Sequence, residues 1–185
     1  MDLPGPRRVT DVDALKALAH PLRVSLLNHL LAVGPRTASE CAEAVGSTAS
    51  NCSWHLRQLA KSGHVERVEA GDGRERPWRA TSVGYDVGAF DDDPEVRAQQ
   101  DALIAIGLNE DNRLAQRFLD RQHELPREWL EASAMHGYTV NVTAEELSGL
   151  LGMIDDILRP YLAPVRRDAP EGAQPAHVGI RAFPR

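Results

Sequence analysis

The chain has 185 residues, 42% hydrophobic and 26% charged, which excludes a fibrous or disordered protein and leaves room for one domain with a sizeable extension or two small ones. No apolar run reaches the roughly 18–20 residues that cross a bilayer, and the start has no apolar segment behind Arg7 and Arg8, so a cytoplasmic protein without a signal peptide or membrane partner is expected. The net charge of −6 is unevenly spread: residues 1–82 hold 11 Lys/Arg against 9 Asp/Glu, and residues 83–185 hold 10 against 18, so the acid sits in the second half.

Residues 1–10 are rich in Pro, Gly and Arg and read as a flexible arm. Thr10 or Asp11 caps a first helix with Val12, Leu15, Leu18 and Ala19 at helical spacing. His20-Pro21 ends it, because a residue before proline disfavours the helical region, and Pro21 then suits the first turn of a second helix. That helix carries Leu22, Leu26, Leu27, Leu30 and Leu31 and stops at Gly34-Pro35. A third begins at Thr37-Ala-Ser-Glu40, the spacing of a capping box, and stops at Gly46. The next runs from Thr48 to Ser62 and stops at Gly63, so two short helices flank a tight glycine-containing turn, as in a helix-turn-helix. His64–Glu69 alternates apolar and polar, Ala70–Gly73 is a turn signal, and Trp78–Thr81 returns: a β-hairpin with Arg74 and Arg76 at its basic tip.

Residues 83–93 read as a linker, and Asp93-Pro94 caps a long helix extending to 125, with the polar run Asn109–Asn112 marking a kink or break. Its apolar positions exceed what one small domain needs, which points to pairing between subunits. Residues 126–185 read as a small α+β unit: a short helix at Pro126–Ala134, a strand at Tyr138–Val142, a second capping box at Thr143–Glu146 opening a helix with Leu147, Leu150, Leu151, Ile154 and Leu158, and a final strand at His177–Phe183. The fold expected is mainly α with a β-hairpin wing, a winged helix-turn-helix domain at 11–82 followed by the long dimerisation helix and this unit.

On the Thr48–Ser62 helix, Cys52, Leu56, Leu59 and Ala60 form an inward stripe with His55 at its edge. The opposite side carries Ser50, Asn51, Ser53, Trp54, Arg57, Gln58 and Lys61 and no acid. Asn and Gln can bond adenine bidentately in a major groove, Arg can bond guanine, and Ser can bond several bases. Thr48, Ser50, Asn51, Ser53, Trp54, Arg57 and Gln58 are therefore the candidate DNA-facing residues, with Arg74 and Arg76 reaching phosphates or a minor groove. Any surface helix presents a polar face, Trp54 could instead pack on a neighbouring element, and His55 fits a structural histidine as well as a base reader. Cys41 and Cys52 form no CxxC pair and fit small core hydrophobes, with redox or metal sensing as the alternative. No P-loop, GxSxG, HExxH or GxGxxG occurs, so neither an enzyme nor a cofactor is expected.

LAHPLRVSLLNHL (Leu18–Leu30), TASECAEAVG and CSWHLRQLAKSGHVERV (Cys52–Val68), in this order and spacing, resemble the ArsR-type winged-helix transcriptional regulators over about residues 11–82. The resemblance implies a homodimer on double-stranded DNA at an imperfect palindromic operator, usually repressing, with the Thr48–Ser62 helix in the major groove and Val65–Thr81 as the wing. It departs from the metal-sensing members: the third helix has only Cys41, and the long helix offers only Asp120 and His123, short of the three or four ligands a transition metal needs, so no metal site is expected. The region beyond 125 resembles the longer C-terminal parts of ArsR-like regulators from GC-rich actinobacteria, and binding a small-molecule inducer or completing the dimer are both open to it. A winged helix serving only protein–protein interaction is the alternative reading.

Overall fold

The computed structural model describes residues 6–69, 76–88 and 91–185. Seven α-helices and four short strands follow in chain order among them: β1 Arg7–Arg8, α1 Val12–Leu18, α2 Pro21–Val33, α3 Ala38–Val45, α4 Ala49–Lys61, β2 Val65–Arg67, β3 Trp78–Ala80, β4 Tyr85–Asp86, α5 Pro94–Arg121, α6 Arg127–Ala132 and α7 Ala144–Leu158.

Local chemistry sets the helix ends as the sequence predicts. Asp11 caps α1 by accepting from Ala14 N–H, and Thr37 and Glu40 close a reciprocal capping box on α3. Gly46 ends α3 in the left-handed region at φ 68°, ψ 44°, which a side chain there would resist. His20 adds a cap that the sequence did not announce: its Nδ1 accepts from Leu22 N–H while Pro21 takes the first helical position.

α2 is apolar over most of its circumference, and it lies at the centre, touching α1, α3, α4, α5 and β3. Leu15 and Leu18 from α1, Leu26, Leu27 and Leu30 from α2, Cys41 from α3 and Leu56 and Leu59 from α4 are fully buried around it. Leu103 is the contribution of α5 to this core. β2 and β3 pair antiparallel, with Val65 opposite Ala80 and Arg67 opposite Trp78, and Trp78 bridges to Arg36 in the connection between α2 and α3. The hairpin turn expected at Ala70–Gly73 lies outside the described residues.

Four expectations are corrected. The arm at 1–10 is tied down over its described part: Arg7–Arg8 pairs in parallel with Tyr85–Asp86, and Val9 is buried. For the same reason the 83–93 segment is not a free linker, since Tyr85 and Val87 pack on the core. α5 runs unbroken through Asn109–Asn112, because Glu110 turns inward, accepts from Ser25 of α2 and forms a paired contact with Arg113. It ends at Arg121, and a 3-10 turn at Gln122–Glu124 completes the expected span.

The C-terminal segment is helical and extended rather than α+β. Tyr138–Val142 and His177–Phe183 have the alternation of strands but form none, because neither finds a backbone edge to pair with. No residue after Glu110 is buried.

Candidate nucleic-acid interface

α3 and α4 are joined by Gly46-Ser47-Thr48 and pack closely on one another. Thr48 caps α4, its Oγ1 accepting from Asn51 N–H at 3.2 Å, and the Asn51 amide donates to Ser47 Oγ at 3.1 Å. The turn that aims α4 is therefore built from two of the predicted DNA-facing residues.

α4 buries Cys52, His55, Leu56 and Leu59 and turns the expected side outward. Thr48, Ser50, Asn51, Trp54 and Arg57 are exposed on it, and Ser53 is half-buried beneath the Arg57 guanidinium, which donates to Ser53 Oγ at 3.0 Å. Gln58 stands apart. It is half-buried at the rim of a groove of about 570 Å³ between α4 and α1, which Arg7, Lys16, Arg23 and Lys61 also line. The exposed helix face keeps its donors and carries no acid.

Trp54 is 52% exposed, with its ring edge on the buried His55 at 4.7 Å. The His55 ring in turn meets His20 at 4.5 Å, and its Nδ1 has no hydrogen-bond partner. His55 is thus buried behind the outer face, between the rings of Trp54 and His20. Burial pushes its pKa below the ordinary histidine value, and the His20 and Arg23 charges lower it further.

The second part of the face is the hairpin. Arg76 is exposed, and its carbonyl accepts from the Arg67 guanidinium at 2.8 Å. Arg74 lies outside the described residues. Sequence reasoning missed Arg67, whose guanidinium stacks 4.2 Å from the centre of the Trp78 ring at the base of the wing. The signal was the strand register, which places Arg67 opposite Trp78 and becomes visible only once the hairpin closes. Arg79 is spoken for by Glu66 across the strands at 2.7 Å.

Cys41 and Cys52 are fully buried and not joined in a disulfide, and burial raises the Cys52 pKa against a hydrogen bond from Ser47. A buried, raised thiol is a poor nucleophile. Asp120 accepts from Gln116, and His123 lies exposed one turn on. Among the described residues no group of three or more His, Cys, Asp or Glu is gathered for a metal, and no helix is long and apolar enough to cross a membrane.

The order of elements and the outward face of α4 agree with a direct match: residues 18–68 fit the family model of the helix-turn-helix domain. This segment is a helix-turn-helix domain. It takes in α2, α3, α4 and β2, so the helix-turn-helix domain has its returning wing strand, Trp78–Ala80, beyond the matched residues. No curated protein matches the chain. The solved structures similar to it include two from mycobacteria. One is the NMR structure of a homodimeric winged helix-turn-helix DNA-binding domain, fragment 1–100, of a possible ArsR-family transcriptional regulator from Mycobacterium bovis, at 24% identity over 68% of this chain and 85% of that one, with a TM-score of 0.34. The other is a MarR family protein from Mycobacterium tuberculosis in complex with salicylic acid, at 17% identity over 78% of this chain and 84% of that one, with a TM-score of 0.31.

Proposed function

We propose that the chain is a sequence-specific DNA-binding transcriptional regulator of the ArsR type, acting as a homodimeric repressor. The observation that carries this reading is the outer face of α4. Asn51, Trp54 and Arg57 stand free of the core on a helix without a single acid, in a chain with 27 Asp and Glu. In the major groove, Arg57 suits guanine and Asn51 adenine, with Ser50 and Ser53 beside them. Thr48 and Gln58 flank that contact, and Trp54 packs on the sugar–phosphate edge or a thymine methyl. Arg76, with Arg74, supplies phosphate contacts from the wing, which set register and salt dependence rather than sequence. A twofold dimer pairs this face with an imperfect palindrome. Release of the DNA by an inducer belongs to the same reading, and a small molecule is one class open to it.

The test is a mobility-shift titration of the full chain on the DNA upstream of its own gene. A shift well above that of unrelated DNA, weakening steeply as salt rises, supports the reading. Equal affinity for upstream and unrelated fragments at low salt overturns it.

A further inference from the structure

The last third of the chain has an apolar surface that nothing among the described residues covers. Of the large hydrophobic residues left exposed among the described ones, Ile157, Tyr138 and Phe183 are 68%, 81% and 73% exposed, and all three lie beyond residue 130. α7 is the ordered part of this surface. It starts from a complete capping box at Thr143 and Glu146, yet buries no residue over 15 positions. An isolated helix of that length is marginal in water, so its stability has to come from packing of its apolar side.

That side has the form of a helix–helix seam. Leu147, Leu150, Ile154 and Ile157 recur at alternating steps of three and four, flanked by Leu151 and Leu158. Ser148, Asp155 and Asp156 share the opposite side with the two helix glycines, so the stripe itself carries no charge.

The size of the occupant follows from the surface of the whole chain. A folded monomer of 20.3 kDa exposes about 8,800 Å², whereas this one exposes 12707 Å². Obligate dimers hide roughly 2,000–5,000 Å² between their chains, so an interface at the upper end takes up over half of each chain's surplus. The C-terminal half is acidic, which sets two copies against each other, and the uncharged α7 stripe is the part of it where they can meet without adding to that repulsion.

We propose that the apolar stripe of α7, centred on Leu150 and Ile157, docks on a second copy of this chain, so that the C-terminal segment completes its packing only in the dimer. It deepens the homodimer of the proposed function but does not depend on whether α4 reads DNA, so a failed mobility shift and a failed dissociation experiment are distinguishable.

The experiment uses the full chain at a series of dilutions, with sedimentation for the oligomeric state and amide hydrogen exchange for local protection. Protection of residues 144–158 is expected to rise in step with the dimer fraction. The double variant Leu150→Glu, Ile157→Glu is expected to move dissociation to at least roughly tenfold higher concentration and to lose that protection, while residues 12–61 stay protected and so report an intact fold. Ser148→Glu, on the far side of the helix, is expected to behave as the wild type. Protection of 144–158 that ignores concentration overturns the proposal. So does a wild-type chain that stays monomeric, a double variant that dissociates where the wild type does, or a different protein found seated on α7.

Discussion

Arg57 is held in the unbound protein by a hydrogen bond to Ser53, one turn back on the same helix. To reach a base it gives up a single exposed contact, a small cost beside a bidentate pair. Arg57→Ala is expected to weaken operator binding by about 1–3 kcal/mol and to relax preference at one base position, read from titrations on singly substituted operators. Arg76→Ala acts differently: it is expected to weaken all sequences alike and to flatten the salt dependence by about one unit of slope. The histidines give a second expectation. Burial is the main cause holding His20, His55 and His64 below the ordinary histidine value. As pH falls through about 6.5 the unfolded chain takes up protons that the folded chain refuses, so stability is complete above that value and declines below it. The thermal midpoint is therefore expected to be lower at about pH 5.5 than at about pH 7.5, and the drop to shrink in His55→Leu. A drop of the same size in that variant counts against His55 as a contributor.

Among the elements, those closed by local chemistry were legible in the sequence. α3 and α4 begin at Thr37 and Thr48 and stop before Gly46 and Gly63, and each of these signals acts within a few residues of itself. Thr37→Ala removes one half of the α3 capping box and is expected to cost about 0.5–2 kcal/mol of stability in chemical denaturation without changing base preference. Leu56→Ala opens the core behind the outer face of α4 and is expected to cost about 2–5 kcal/mol in the same measurement. What was not legible depends on distant partners. β1 and β4 are two residues each and exist only because the N-terminal arm meets the segment after the wing. The polar run in α5 looks like a break until Glu110 finds Ser25 and Arg113. Tyr138–Val142 shows the opposite failure: alternation sufficient for a strand, with no neighbouring edge to make it one. The outward face of α4 could be read residue by residue. Yet the half-burial of Gln58 and the stacking of Arg67 on Trp78 follow from the packing of α1 and the register of the hairpin.

At the level of the whole molecule, the basic and acidic halves divide the work. The first contains the helix-turn-helix domain and nearly all the buried side chains, and the second carries the acid and the open apolar surface. If two copies share that surface, unfolding is coupled to dissociation. The thermal midpoint of the full chain is then expected to fall on roughly tenfold dilution, whereas a midpoint indifferent to concentration is the signature of a lone chain. One small feature reaches across both halves. Arg7 donates from its backbone to Gly84 and from its side chain to the carbonyl of Gly63, and Val9 donates to Asp86. The first described residues are thereby stitched to the end of α4 and to the approach of α5. In a twofold assembly, such a stitch sets a ruler: it helps fix how far apart the two α4 helices stand, against the roughly 34 Å that separates successive turns of a duplex. The Arg7–Val9 stitch then helps decide which spacer length between half-sites the protein accepts.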